Sequence, residues 1–308
     1  MARTGSTNQK RQRNAGRGPA WRGRWVSRNR VWGRAAVVLV AGAALVLATA
    51  CGDGEAASGA FVGGDLHSLV VDPTNPERLF AGGHQAVSVS HDGGATWRRV
   101  PSLDDKDAMG WGFTEDAIYV SGHPGLSRST DGGETFTLVN EGLPDTDVHA
   151  FGAGEAVLYG ASPAVGVFAS DDGGTTWEVR TNEAGHAFFG RILVDPQNDQ
   201  HVLAADVQSG VVKSRDGGRT WDQRGGLPSA MWISAAPGGL ETLVASGGGE
   251  AMRSTDGGRS WEALSLPEGA ILVEVGADPD TMYAAGLEGT AARVWVSRDG
   301  GTTWSEPT

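Results

Sequence analysis

Polar and apolar positions of this chain alternate in short runs, and the arrangement recurs along most of its length. The first repeat holds four such runs, which are His67–Val71, Arg78–Ala81, Ala86–Ser90 and Thr96–Val100. Runs of four or five residues rich in Val, Leu, Phe and Trp, separated by glycine, proline and aspartate, are typical of β-strands. The pattern therefore predicts an all-β fold in which each repeat supplies four strands.

Each repeat contains one copy of the motif Ser-x-Asp-Gly-Gly-x-Thr/Ser-Trp/Phe between its third and fourth runs. The Asp-Gly-Gly core favours a tight turn, because glycine adopts positive φ without steric cost. A repeat of about 40 residues with four strands is the spacing of a propeller blade. The sequence predicts a six-bladed β-propeller of four-stranded antiparallel blades over residues 61–308, with Phe61 and Val62 as a closing strand. A seventh, incomplete blade is the alternative. The motif aspartates are Asp92, Asp131, Asp172, Asp216, Asp256 and Asp299.

The first 50 residues have the organisation of an export signal. Residues 1–34 are basic and contain no acidic residue, and residues 35–50 form an apolar run that ends at the only cysteine, Cys51. A basic segment, an apolar segment and a small-residue exit predict a signal peptide. Leu47 to Cys51 resembles a bacterial lipobox, although Ala48 stands where leucine is usual. The resemblance implies a lipid on Cys51, with residues 51–60 as a flexible tether. Secretion after simple cleavage is the alternative.

Removing this leader changes the charge of the chain. Ten of the 25 basic residues and none of the 37 acidic ones precede Cys51, so the net charge after Cys51 is −22 rather than −12. A domain this acidic is a poor partner for nucleic acid. A cationic or neutral polar ligand, a metal ion or a protein suits it better.

The repeats resemble a known family over roughly Asp65 to Trp304. The motif is similar to the Asp-box, or BNR, repeat of sialidases and other propellers. The segments Leu66–Pro73, Met109–Thr114, Ser121–Gly125 and Asp147–Ala150 are similar to bacterial lipoproteins labelled glycosyl hydrolases by similarity. The resemblance implies a propeller fold and carries little information about activity, since the Asp-box lies in a turn away from the active site in these families.

Propeller geometry predicts which end of the molecule binds a ligand. The innermost strands of the blades begin at one end, and the turns between second and third strands lie at the same end. We expect a ligand-binding face there, and the motif turns at the opposite end. The residues predicted on the ligand-binding face are His67, His84, Met109, Trp111, His123, His149, His186, Arg191 and Met231.

Aligned blade positions suggest a metal at this face. The position of His67 corresponds to Met109, His149 and Met231 in other blades. Imidazole together with thioether suits copper, and imidazole alone suits zinc. Structural packing of methionine in the channel is the alternative interpretation.

Catalytic candidates are few. Asp65, Asp107 and Asp147 precede innermost strands in consecutive blades, so a pair of them could act as the two carboxylates of a glycoside hydrolase. The three tyrosines align with Phe80 on second strands, which indicates that they are core residues. The tyrosine nucleophile that a sialidase needs is therefore not visible in the sequence. The sequence favours a binding or assembly module on the outer side of the cell membrane, with a protein or a small polar or glycan ligand. The alternatives are a glycoside hydrolase and a copper- or zinc-handling protein.

Overall fold

A computed structural model describes residues 57–308, and this part of the chain is almost entirely β-strand. The predicted signal peptide, Cys51 and most of the predicted tether lie outside the described residues. One 3-10 turn, Pro101–Leu103, is present within the described part. Within residues 57–308 no helix is long and apolar enough to cross a membrane.

After a first short strand, the strands follow one another along the chain in five groups of four and a last group of three. The first half comprises β1 (Ala60–Phe61), β2 (Leu66–Asp72), β3 (Asn75–Gly83), β4 (Val87–Ser90), β5 (Arg98–Arg99), β6 (Gly110–Phe113), β7 (Ile118–Gly122), β8 (Gly125–Ser129), β9 (Thr137–Leu138), β10 (Ala150–Ala153), β11 (Leu158–Ser162), β12 (Gly166–Ser170) and β13 (Glu178–Thr181). The second half comprises β14 (Phe188–Asp195), β15 (Asn198–Asp206), β16 (Gly210–Ser214), β17 (Asp222–Gly225), β18 (Trp232–Ala235), β19 (Leu243–Gly247), β20 (Glu250–Ser254), β21 (Glu262–Leu264), β22 (Leu272–Val275), β23 (Met282–Glu288) and β24 (Ala291–Ser297).

Within each group, consecutive strands pair antiparallel. The described residues form six four-stranded units, which we number one to six from β2 onward. Units three and four join into one sheet, because β10 also pairs parallel with β14. The six innermost strands are β2, β6, β10, β14, β18 and β22. The all-β propeller class predicted from the repeats is confirmed.

The sixth unit takes its outer strand from the start of the domain. Strand β1 pairs with β24 through Ala60 and Ala292, and Val62 N–H donates to the carbonyl of Thr290. Ser305 forms a bridge to Val296 farther along the same edge. The outer edge of the sixth unit is therefore formed jointly by residues near position 60, as predicted for Phe61, and by Ser305.

The repeated motif builds the same turn in every unit, as the fourth copy shows. Ser214 Oγ donates to Asp216 Oδ1 at 2.8 Å and accepts from the N–H of Gly218 at 2.9 Å. Asp216 accepts from the N–H and the hydroxyl of Thr220. Gly217 and Gly218 have φ of 69° and 83°. The side chains of the motif thus satisfy the backbone N–H groups of the turn.

Strand direction gives the propeller two distinct ends. Innermost strands begin, and second strands meet third strands, at one end, which we call the histidine face because His67, His84, His123 and His149 lie there. The motif turns lie at the other end, the Asp-box face, together with the turns at Pro73 and Pro196. Aromatic side chains pack between neighbouring sheets, as in the stack of Phe80 on Trp111 at 5.0 Å between ring centroids.

Candidate functional site

Six ionisable side chains from units one to three converge on the histidine face. His67 is the second residue of β2, and His84 lies in the turn between β3 and β4. Asp107 precedes β6, and His123 lies in the turn between β7 and β8. Each position is where a strand starts or a turn reverses, so adjacent units bring these side chains together around the channel mouth. The six, which we call the histidine cluster, are His67, His84, Asp107, His123, Asp147 and His149.

Asp107 links two histidines of the cluster. Its Oδ1 lies 2.7 Å from His84 Nδ1, and its Oδ2 lies 3.2 Å from His123 Nδ1. The carboxylate is only 3% exposed, whereas the His84 and His123 side chains are 58% and 54% exposed. A buried carboxyl group thus lies below two accessible imidazoles.

Asp147 repeats this arrangement one unit farther around the ring. Its Oδ1 lies 3.0 Å from His123 Nε2 and 2.8 Å from His149 Nε2. His123 therefore contacts one carboxylate through each of its ring nitrogens. The four histidines and two aspartates form a connected network rather than isolated side chains.

Phe189 packs edge-on against both ends of the cluster. Its ring centroid lies 5.8 Å from that of His67 and 5.8 Å from that of His149. His67 and His84 are themselves in edge contact, at 5.9 Å. Burial lowers the pKa of His67, although Asp107 and Asp65 oppose the shift. Burial thus favours the neutral form of the His67 imidazole, which has one nitrogen lone pair.

The loops of the histidine face are acidic. The segments that lead into the six innermost strands contain a single basic residue, Lys106. A surface with this balance attracts cations and repels anions. The acidic residues of these segments are Asp65, Asp104, Asp105, Asp107, Glu141, Asp145, Asp147, Glu183 and Glu268.

Other predicted residues of this face lie outside the cluster. His186 has its two ring nitrogens 2.8 Å from the carbonyls of Pro163 and Asn182, and these hydrogen bonds raise its pKa. Met109 is buried, and Met231 is 39% exposed. Asp65 is exposed at the edge of the cluster.

Trp111 and Arg191 were predicted on the ligand-binding face, but the structure places their side chains elsewhere. Trp111 is buried, and its Nε1 donates to Ser68 Oγ at 2.9 Å. Both residues line a cavity of about 310 Å³ that opens at the Asp-box face beside Pro73 and Pro196. They lie deeper along their strands than the position of His67, so their side chains belong to the channel and its other mouth.

The sequence analysis missed the polar group at the bottom of that cavity. Glu274 is buried, and it accepts from Arg191 Nη1 at 2.7 Å and from Trp232 Nε1 at 3.0 Å. Burial raises the pKa of Glu274 to about 7, while the charge of Arg191 opposes the shift. A single acidic residue in the otherwise apolar run Leu272–Val275 was the available signal.

Comparisons with known proteins support the propeller fold. The BNR/Asp-box repeat family matches residues 295–306, which hold the sixth copy of the motif. None of the curated proteins matches the sequence. The GH74 xyloglucanase of Xanthomonas campestris is similar at a TM-score of 0.54 and 17% identity, over 81% of this chain and 46% of that one. YCF48 bound to D1 peptide is similar at a TM-score of 0.52 and 19% identity, over 82% and 84% of the two chains.

The likenesses concern architecture rather than activity. The chain spans about half the length of the xyloglucanase, with 46% of that enzyme covered. Identities of 17% and 19% establish a common fold and leave the chemistry of the site open. The chain is a protein with an Asp-box repeat and the all-β propeller fold that GH74 enzymes and YCF48 share.

Proposed function

We propose that this protein is a binding module, tethered outside the cytoplasmic membrane, that recognises its ligand or partner protein at the histidine face. The observation that carries the proposal is the histidine cluster, in which four histidines and two aspartates from three units meet at one channel mouth. Polar groups that converge at a concave site from separate elements are typical of ligand recognition.

The charge of this face favours a cationic or neutral polar partner. Lys106 is the only basic residue in the segments leading into the innermost strands, and its Nζ donates to the carbonyl of Ser102. The acidic loops would therefore speed encounter with a cationic ligand and disfavour nucleic acid. The related fold of YCF48, with its D1 peptide, is an example of peptide binding on such a scaffold.

The entry of the chain into the propeller agrees with a tether at Cys51. Ala57 exchanges two backbone hydrogen bonds with Trp97, which follows the first motif turn, so the chain enters at the Asp-box face. Five residues lie between Cys51 and Ala57, and the six steps from one to the other span at most about 20 Å. A lipid on Cys51 would hold the Asp-box face toward the membrane and leave the histidine face accessible.

Site-specific crosslinking in the native membrane tests the binding face. A photo-crosslinking amino acid in place of Gln85, which is exposed beside His84, should give a defined product. The same amino acid in place of Arg298, exposed on the Asp-box face, is the matched control and should give none. Equal products from both positions, or a Gln85 product that survives the double variant His84→Ala and Asp147→Asn, would contradict the proposal.

A glycoside hydrolase is the second candidate function. Asp107 and Asp147 lie on either side of His123, which contacts both carboxylates, and a carboxylate pair is the minimum that glycoside hydrolysis requires. The similar xyloglucanase makes xyloglucan oligosaccharides the first substrate to test. Hydrolysis that is lost in both Asp107→Asn and Asp147→Asn, and kept in Asp65→Asn, would favour the enzyme over the binding module.

A further inference from the structure

Buried polar atoms without hydrogen bonds are concentrated in the histidine cluster. Among residues 57–308, four such side-chain atoms are not arginine Nε atoms, and three of them are His67 Nδ1, Asp107 Oδ1 and Asp147 Oδ1. A buried acceptor without a partner costs about 1–3 kcal/mol. Two of these atoms belong to His67 and Asp107, which lie close enough together to share one ligand.

The short contacts of Asp107 Oδ1 and Asp147 Oδ1 do not have hydrogen-bond geometry. His84 Nδ1 is 2.7 Å from Asp107 Oδ1, yet this oxygen has no hydrogen bond with suitable angles. The same holds for Asp147 Oδ1, at 2.8 Å from His149 Nε2. Both carboxylate oxygens therefore keep a lone pair that no hydrogen bond uses.

Three possible donor atoms lie close enough together to hold one metal ion. One ligand atom each from His67, His84 and Asp107 lie within 4.8 Å of one another. With metal–ligand bonds of about 2.0–2.2 Å, the donors of a tetrahedral zinc site lie about 3.3 Å apart. His84 Nδ1 and Asp107 Oδ1 are 2.7 Å apart, so this pair would have to open by about 0.6 Å around the ion, and the exposed His84 side chain has room to move.

We propose that His67, His84 and Asp107 bind a divalent transition-metal ion, with zinc as the metal of choice. Two imidazole nitrogens and one carboxylate oxygen form a donor set of catalytic zinc sites, in which the fourth position is left for an exogenous ligand. Magnesium and calcium prefer sets made of oxygen atoms. This inference rests on the proposed binding function, because the fourth position is where the ligand of the histidine face would attach.

His123 acts as a positioning residue for this site. Its Nδ1 lies 3.2 Å from Asp107 Oδ2, the oxygen that faces away from His84, and its Nε2 contacts Asp147. Partners behind a metal-bound carboxylate fix its orientation, and their removal lowers metal affinity by about 10–100-fold. The metal site and the Asp147–His149 pair are thus coupled through one imidazole.

Zinc titration of the full mature chain tests the proposal. Protein stripped with EDTA and dialysed is titrated with ZnCl₂ by calorimetry, and bound metal is counted by mass spectrometry. We expect one zinc per chain, more than 100-fold weaker binding for His84→Ala and Asp107→Asn, and a 10–100-fold loss for His123→Ala. The matched control His186→Ala removes a histidine of the same face outside the cluster and should bind zinc as the wild type does.

Two results would overturn the metal site. One is the absence of stoichiometric zinc in the wild type. The other is unchanged affinity in His84→Ala and Asp107→Asn variants whose circular dichroism and melting temperature show a folded domain. Either result leaves the Gln85 crosslink to decide the binding face by itself. Zinc binding without a crosslink would support the metal site and remove the partner protein from the proposed function.

Discussion

Glu274 is a carboxyl group enclosed at the centre of the propeller. It lies on β22 and joins β14 through Arg191 and β18 through the indole of Trp232. Burial disfavours its charged form more strongly than the arginine favours it, which is why its pKa is raised to about 7. The folded protein therefore holds this proton over a pH range in which the unfolded chain releases it.

The substitution Glu274→Gln should change how stability depends on pH. Below about pH 4.5 the Glu274 carboxyl of the wild type is protonated in both the folded and the unfolded state. Between about pH 4.5 and 7 it ionises only in the unfolded chain, because its pKa in the folded protein is about 7. The free energy of unfolding of the wild type should thus fall, relative to Glu274→Gln, by up to about 3 kcal/mol as the pH rises from 4.5 to 7. Urea unfolding at intervals of pH measures this difference.

Glu268 provides the control for that measurement, because it is exposed in a loop of the histidine face. Glu268→Gln should follow the pH profile of the wild type. A Glu274→Gln profile parallel to the wild type would show that Glu274 is ionised in the folded state throughout, contrary to the expectation from its burial.

Among elements, the motif turn is the most regular part of the molecule. In every copy the serine hydroxyl donates to the aspartate two residues later and accepts from the N–H four residues later. The aromatic residue that ends the motif is less uniform. Trp221 Nε1 donates within its own turn to Gly218, whereas Trp261 Nε1 donates to Arg224 in the preceding unit. The turn is therefore autonomous, and its aromatic side chain adapts to the neighbouring sheet.

Ser214→Ala should destabilise the domain by about 1–3 kcal/mol, because the buried N–H of Gly218 loses its acceptor. The midpoint of urea unfolding should fall without a change of slope. Ser209→Ala is the control, since the hydroxyl of Ser209 makes no hydrogen bond within residues 57–308 and its loss should cost less than about 0.5 kcal/mol. Similar midpoints for the two variants would show that the serine is dispensable to the turn.

The contrast between a local turn and a cluster built from several units explains which features the sequence could predict. The motif turn depends on eight consecutive residues, so its recurrence was sufficient to predict four-stranded repeats and a propeller. The histidine cluster depends on how neighbouring units meet, which brings His123 between Asp107 and Asp147.

Trp111 was placed on the wrong face because it lies two residues beyond the aligned Met109, about 7 Å deeper along the strand. Met109 and Met231 were predicted as metal ligands because they align with His67 in other blades. Such an alignment compares innermost strands only, so it could not identify His84, which lies in a turn between two strands.

At the scale of the whole molecule, closure of the ring depends on the first residues of the domain. Ala60 and Phe61 pair with Ala292 and Ala291, and Ala57 pairs with Trp97 of unit one. Arg99 lies 4.6 Å above the ring of Phe61. This short segment thus joins the first unit to the sixth.

Val62→Ala should therefore weaken the entire domain. Val62 is fully buried next to this closure, and removal of its two methyl groups should lower the free energy of unfolding by about 2 kcal/mol. Val179→Ala, on the outer strand β13 where the side chain is 45% exposed, should cost less than about 0.5 kcal/mol. Thermal unfolding of both variants measures the contrast. Equal melting temperatures would show that the ring is held by the contacts of the innermost strands alone.

The strand supplied by Ala60 and Phe61 also bears on the order of folding. It is the first strand of the domain to be synthesised, and its partner β24 is the last, about 230 residues later in the chain. A contact over so long a separation forms only after the intervening loop entropy has been overcome, which makes ring closure a late and slow step. Until then the outer edges of units one and six expose unpaired backbone groups. A chain of this design is therefore most vulnerable to proteolysis and aggregation in the interval between synthesis of β1 and synthesis of β24.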